Sequence, residues 1–259
     1  MTGKELVAGL NKYLRIRTTP IVLKLCRSKS ELDEIPKLRR PNGMFTACQM
    51  LGQAARLNYT IGFTADDLTG SQCCGVFGLQ PREIWEDWSY CVGVWVDTNE
   101  DAVKHQKYIH TPDVSKGLYE AVALSPLESE RIKDPDICII YATPAQMILL
   151  INGLQYKDYE NIEATIIGES SCSDSIGKAL ATGKPAFTIP CFGERRYGGT
   201  MEDELIAAMP LPYLEKAIDG LAHLSANGLR YPIPFHGIQH DARAGMSKSY
   251  NLDELKKKG

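Results

Sequence analysis

Five cysteines near glycine, serine or an expected helix start are the residues of this sequence best suited to a specific chemistry. The chain has eight cysteines in all. Thiolates bind zinc and iron-sulfur clusters, and they also act as nucleophiles and redox groups. No other set of residues in the sequence indicates so specific a chemistry. The five candidates are Cys48, Cys73, Cys74, Cys172 and Cys191.

The remaining three cysteines fall inside apolar, strand-like runs. Cys26 ends the run from Ile21, Cys91 begins a run of apolar residues, and Cys138 lies between isoleucines. Free cysteine behaves as a small hydrophobic residue in such surroundings. We therefore predict that Cys26, Cys91 and Cys138 fill the core.

Two candidates fall at predicted helix starts, where an anionic sulfur would be stabilised. Thr46 is a suitable N-cap for a helix whose first turn contains Cys48, and a serine-rich segment places Cys172 at or just before another helix. The positive end of the helix dipole favours a thiolate at such a position. Gly75 and Gly193, close to Cys74 and Cys191, permit a close backbone approach.

The spacing of the cysteines alone leaves three interpretations open. The sequence contains no C-x-x-C pair and none of the usual ferredoxin or zinc-ribbon spacings. The fold would have to gather the ligands from distant segments. The candidates could hold a metal or cluster, could be ordinary thiols, or could include a catalytic or redox-active thiol.

Apolar periodicity and turn residues predict a mixture of strands and helices. The order is neither a strict β-α-β alternation nor the even spacing of an all-β protein, so we expect an α+β or mixed-sheet α/β fold. We expect one interwoven domain over residues 1–259, with a possible subdivision near residues 127–133. The predicted strands include 21–26, 91–97, 118–124, 136–141, 163–168 and 186–190, and the predicted helices include 4–15, 144–154, 213–224 and one that begins at 200–205.

Composition and charge argue against several classes of partner. The net charge is −3, with 24% charged residues, and the longest basic block is the lysine run 256–258. We therefore expect no binding to nucleic acid or to anionic membranes. The polar N-terminus and the short apolar runs predict a cytoplasmic protein without a secretory signal. In a reducing compartment, surplus cysteines indicate metal binding or redox chemistry more often than disulfides.

Several motifs resemble an uncharacterised family known as domain of unknown function 169. The similarity spans most of the chain. Its four cysteine positions correspond to Cys48, Cys73, Cys172 and Cys191, and Cys74 stands where the family often has proline. The motifs are Cys48-Gln49-Met50-Leu51, Ala54-Ala55-Arg56, Cys73-Cys74-Gly75, Gly78-Leu79, Pro144-Ala145-Gln146-Met147, Ser171-Cys172, residues 181–185, residues 190–196, Asp203-Glu204-Leu205 and Met209-Pro210.

The resemblance implies a four-cysteine iron-sulfur site, for which a [4Fe-4S] cluster is favoured and zinc is the lesser alternative. Cys74 could replace Cys73 as the ligand, and the pair could also cycle as a redox site. The expected function is electron transfer to a redox protein partner. The alternatives are a structural zinc protein or an enzyme that acts on a small anionic molecule through an open cluster site or a reactive cysteine.

Further candidates lie near the last cysteine and near the C-terminus. Arg195 and Arg196, just after Cys191, could neutralise an anionic cluster or bind an anionic substrate. His236 and His240 are four residues apart, but the neighbouring prolines and glycine oppose a helix, so we do not assign them as ligands. A homo-oligomer is compatible with the sequence.

Overall fold

The computed structural model describes residues 1–81, 91–235 and 237–239 of the chain. His236 and His240 lie outside the described residues. No described helix combines the length and the apolar character needed to cross a membrane.

A six-stranded antiparallel sheet forms the centre of the fold. Its strand order is β2-β3-β1-β4-β6-β5, so strands from both sides of residues 127–133 pair in one sheet. The combination of this sheet with the helices confirms the predicted α+β class. The strands are β1 (Ile21–Cys26), β2 (Ile61–Phe63), β3 (Ala121–Pro126), β4 (Ile137–Ala142), β5 (Ala186–Thr188) and β6 (Leu205–Met209).

Both faces of the sheet are buried, and alternate residues of each strand enter different halves of the core. In β4, Ile139 and Tyr141 belong to one apolar cluster, whereas Cys138 and Ile140 belong to the other. This alternation follows from the two-residue period of a strand. The sheet therefore separates Cys138 from the apolar cluster that contains Tyr141.

Helices cover the two faces of the sheet. Three helices contribute to the cluster that contains Cys138, and the helical segments that carry Cys48, Cys73 and Cys172 contribute to the Tyr141 cluster. The first group is α1 (Gly3–Leu14), α5 (Pro144–Leu154) and α8 (Leu211–Ala226). The remaining helices are α2 (Ala47–Leu57), α3 (Ser71–Val76), α4 (Asn99–Gln106), a π-helix (Ser173–Gly177), α6 (Lys178–Thr182) and α7 (Phe192–Arg196), with short 3₁₀ turns at Lys29–Leu32, Ala65–Asp67 and Leu127–Ser129.

Three local predictions were wrong. Residues 91–97 form turns with an isolated bridge between Val92 and Val96. Residues 163–168 are not a strand, because the backbone N–H of Ile167 donates to the Asp174 carboxylate, at 2.7 Å, instead of to a neighbouring strand. No helix begins at residues 200–205. There the Glu204 carboxylate accepts from the Met201 N–H, and Leu205 starts β6.

Candidate metal centre

The first turn of α2 holds Cys48, as predicted. Thr46 is the N-cap: its hydroxyl oxygen accepts from the backbone N–H of Gln49 at 3.1 Å. The Gln49 side chain in turn accepts from the Thr46 N–H at 2.9 Å. This capping box fixes where the helix begins. Cys48 consequently lies among the backbone N–H groups at the positive end of the helix dipole.

Cys73 and Cys74 lie in α3 and point to different surroundings. Burial raises the pKa of the Cys73 thiol, and the backbone of Ala47, at the start of α2, partly counteracts this effect. The Cys74 sulfur instead lies 3.9 Å from the carbonyl oxygen of Ala65 and is almost completely buried. Adjacent helical residues diverge by roughly 100° around the axis, which follows from 3.6 residues per turn. Of the two, Cys73 is the one directed towards α2.

Cys172 lies at the start of a helical segment that continues directly into the π-helix. Its backbone is already helical, and the Ser170 hydroxyl lies 3.8 Å from its sulfur. The Gln72 side chain of α3 donates to the Ser170 oxygen at 2.8 Å, which links the two cysteine-bearing segments. Single π-helical turns inside helices are frequent at functional sites.

Cys191 is itself the N-cap of α7. Its backbone is extended, and its sulfur accepts from the backbone N–H of Glu194 at 3.4 Å. Cysteine thus takes the place that serine or aspartate commonly occupies at a helix start. All four family-type cysteines therefore lie at the N-cap or in the first turn of a helical segment.

The fold brings Cys48, Cys73, Cys172 and Cys191 into one place. A methyl group placed on Gly193 would lie 3.8 Å from the sulfurs of both Cys48 and Cys191, so those two sulfurs are at most twice that distance apart. The charges of the other three thiols raise the pKa of Cys48, those of Cys73 and Cys191 raise the pKa of Cys172, and that of Cys191 raises the pKa of Cys73. The charge of Cys73 raises the pKa of Cys74, whereas Cys48, Cys172 and Cys191 do not contribute to the pKa of Cys74.

Burial is the main cause that raises the pKa of three of the gathered thiols. For Cys48, Cys73 and Cys172, loss of water is the first cause, and the neighbouring thiols and Glu194 add to it. In the absence of a cation, these three groups are therefore protonated at neutral pH. A bound metal would reverse this, because a coordinating thiol is deprotonated.

The cysteines predicted to fill the core are more deeply buried than the four gathered thiols. Cys26 and Cys138 have 0% exposure and Cys91 has 1%. Burial raises the pKa of Cys26 to about 11 and that of Cys138 to about 12. In contrast, Cys48 and Cys172 are 8% exposed, Cys191 is 6% exposed, and Cys73 is half-buried. The core prediction is confirmed for these three residues.

The arrangement of the donor groups differs from that of a single-ion site. Within residues 1–81, 91–235 and 237–239, no group of three or more histidine, cysteine, aspartate or glutamate side chains is placed so that it could hold a metal ion. A [4Fe-4S] cluster differs from a single ion in that iron and sulfide atoms separate the cysteine ligands, each of which binds its own iron.

Comparison with known proteins places the chain in a family. Residues 9–220 match the model of domain of unknown function 169, described as uncharacterised ArCR, COG2043. The chain belongs to this family. The matched region contains all four gathered cysteines, and the resemblance inferred from the sequence is confirmed.

The chain is similar to one curated protein and matches no solved structure. The DUF169 chain is 24% identical over 212 residues to the uncharacterized protein MJ0308 of Methanocaldococcus jannaschii, covering 78% of this chain and 86% of the relative.

A buried acid that was not predicted from the sequence lies beside the thiols of this DUF169 chain. Glu194 has 1% exposure, and the Tyr141 hydroxyl of β4 donates to its Oε1 at 2.6 Å. Burial raises the pKa of Glu194 although Tyr141, Cys48 and Arg56 favour its ionised form. Its position three residues after Cys191 was the available signal, because the third residue after an N-cap lies in the same helical turn as the cap.

Arg56 is a second missed residue, and it connects α2 with the chain around β6. Its guanidinium forms a salt bridge with Glu204 at 2.8 Å and donates to the carbonyl oxygen of Gly198 at 3.1 Å. It also lies 5.3 Å from the Tyr141 ring centre. Burial would raise the pKa of Glu204, but hydrogen bonds from Thr18, the Met201 N–H and Arg56 lower it overall.

Arg195 and Arg196 have local partners near the surface. Arg195 donates to the carbonyl oxygen of Met201 at 2.6 Å. Arg196 is exposed, and its guanidinium lies 5.9 Å from the Phe192 ring centre and 5.7 Å from that of Tyr197. The proposed role of the two arginines in anion binding stays a prediction.

We predict that Gly52→Ala separates α2 from α7 and destabilises the protein by about 1–3 kcal/mol. The added methyl carbon would lie 2.6 Å from the carbonyl oxygen of Gly198, a contact that requires movement of the backbone. Helix propensity alone predicts that the substitution stabilises the protein, since alanine is more favourable than glycine in a helix by about 1 kcal/mol. Denaturant unfolding measures the change. Gly43→Ala, with Phe45 at 4.0 Å as its nearest neighbour, is the control. A stabilised Gly52→Ala would contradict the account.

Proposed function

We propose that this chain binds an iron-sulfur cluster, with [4Fe-4S] favoured, and uses it in electron transfer. Cys48, Cys73, Cys172 and Cys191 would hold the cluster. The observation that carries the proposal is that four thiols from four distant segments lie within electrostatic range of one another, each at the N-cap or in the first turn of a helical segment. Four cysteines are the usual ligand set of such a cluster.

The chemistry of the donor set supports this cofactor. Helix N-termini place partial positive charge and free N–H groups beside anionic sulfur. The Glu194 N–H already donates to the Cys191 sulfur, and the Ser170 hydroxyl lies beside Cys172. Hydrogen bonds to the sulfurs of a cluster are among the features that set its potential. A cluster bound here would supply reversible one-electron chemistry.

The separation of the ligands along the chain favours a cluster over structural zinc. Zinc sites commonly take two ligands from one short C-x₂₋₄-C segment. Here each thiol comes from a different helical segment, and Cys74, the closest possible second donor on α3, is directed towards Ala65. A colourless protein with tightly bound zinc would support the zinc alternative.

The depth of the site is compatible with electron exchange at the surface. Cys48, Cys172 and Cys191 retain 6–8% exposure, whereas Cys138 behind the sheet has none. Gly193 has no side chain to cover the neighbouring sulfurs of Cys48 and Cys191. A redox protein could therefore approach the site over α7, and four cysteine ligands would leave no coordination position for a substrate.

A reductive titration tests the proposed role. The anaerobically reconstituted protein should take up about one electron per chain with partial loss of visible absorption, and reoxidation should restore it. A protein that gains iron but takes up no electrons reversibly would contradict electron transfer. A cluster that binds added substrates at iron would favour the enzyme alternative.

A further inference from the structure

A cavity of about 480 Å³ lies beside the segment that carries Cys172, between residues 105–110 and residues 165–167. The volume falls within the usual range of small-molecule pockets, about 300–1,000 Å³. The apolar lining comes from both sides and consists of Ile109, Ile166 and Ile167. The polar lining includes Lys107 and His110. A mainly apolar pocket with a few polar groups is the typical form of a ligand site.

The cavity walls are anchored to the π-helix. The backbone N–H of His110 donates to the Ser173 hydroxyl, and that of Ile167 donates to the Asp174 carboxylate, both at 2.7 Å. A methyl group on Gly177 would lie 2.3 Å from the His110 carbonyl oxygen, so only glycine permits this approach. These contacts hold both sides of the cavity in place before any ligand arrives.

The polar groups of the cavity match an anion. Lys107 is exposed at its edge, and the Lys178 ammonium lies 3.1 Å from the Thr165 hydroxyl of the lining. The Nδ1 atom of His110 is buried and has no hydrogen-bond partner among the described residues. Two acids lie close to the lining: Asp174, which accepts from the Ile167 N–H, and Glu169, 3.4 Å from His105. Burial raises the pKa of Glu169 to about 7 and that of Asp174 to about 6, which reduces their negative charge near neutral pH. An unpartnered buried nitrogen is unfavourable unless a ligand or water satisfies it.

We propose that this cavity binds a small organic anion, a carboxylate or sulfonate on an apolar body. The anionic group would lie near Lys107 and His110, and the apolar body would pack against Ile109, Ile166 and Ile167. This site does not depend on the cluster, because none of its lining residues is one of the four gathered cysteines.

Fluorescence titration of the full chain with anilinonaphthalene sulfonate, an aromatic anion, tests the proposal without added iron. One probe molecule should bind per chain. Benzoate should displace it, and neutral benzamide of similar shape should not. Lys107→Glu and Ile166→Asp should each weaken binding by about tenfold or more, the effect of losing one charged contact or apolar wall.

Matched controls separate the cavity from general surface effects. Ile166 is 55% exposed, so its substitution leaves the core intact. Lys116→Glu, at another exposed lysine, and Ile148→Asp, at a 48% exposed position of α5, should bind the probe as the parent does. Absence of saturable binding, equal binding by Lys107→Glu, or equal displacement by benzamide would overturn the proposal. Each of those results would leave the iron measurements unaffected.

Discussion

Single serine substitutions of Cys48, Cys73, Cys172 and Cys191 should each lower the iron affinity of the protein by at least about tenfold. Loss of a residue that only hydrogen-bonds to a metal ligand typically lowers metal affinity by about tenfold or more, so loss of a ligand should lower it at least as much. The serine hydroxyl ionises far less readily than a thiol and is a harder donor, so it replaces a thiolate poorly. Iron content after anaerobic reconstitution and gel filtration measures the effect.

The remaining cysteines provide matched controls for this series. Cys74→Ser changes the neighbour of Cys73 in the same helix, and Cys138→Ser changes a thiol on the other face of the sheet. Both variants should retain the parent iron content. If Cys74→Ser loses iron and Cys73→Ser keeps it, the ligand assignment on α3 is wrong. If all variants keep the same iron content, the four-thiol site is wrong.

Arg56→Met should destabilise the fold by about 3 kcal/mol, since removing one partner of a buried ion pair leaves an uncompensated charge. The Glu204 side chain is 1% exposed, and Arg56 is its cationic partner in the salt bridge. The same change removes the donor to Gly198, which connects α2 to the chain after α7. Urea unfolding at neutral pH measures the loss.

A second substitution distinguishes the effect of the unpaired Glu204 charge from the effect of lost packing on the stability of Arg56→Met. Adding Glu204→Gln to Arg56→Met removes the unpaired charge and should recover part of the lost stability. Arg196→Met, which alters an exposed arginine with ring contacts, should change stability by no more than about 0.5 kcal/mol. A double variant less stable than Arg56→Met would show that the Glu204 charge is not the source of the loss.

Local sequence was sufficient to sort most of the cysteines. The apolar runs around Cys26 and Cys138 predicted burial because alternate residues of a central strand enter the core on either face. Thr46 and the serines before Cys172 predicted helix starts because their side chains suit the first turn of a helix. The choice between Cys73 and Cys74 required tertiary structure, since it depends on which face of α3 meets α2.

The residues around the thiols could not be predicted in the same way. Glu194, Tyr141 and Arg56 come from α7, β4 and α2, and their contacts exist only once the sheet and helices pack. Residues 163–168 have strand-like composition but no strand partner, and their backbone bonds to the π-helix segment instead. β-propensity describes a half-buried pleated surface, and it cannot supply a neighbouring strand.

Iron and acid-labile sulfide analysis of protein purified and reconstituted without oxygen is the most direct test of the central claim. The account predicts a brown protein with about four iron and four sulfide atoms per chain, held in place by Cys48, Cys73, Cys172 and Cys191. A colourless protein without stoichiometric iron, in which these thiols and Cys74 all react freely with an alkylating agent, would contradict it.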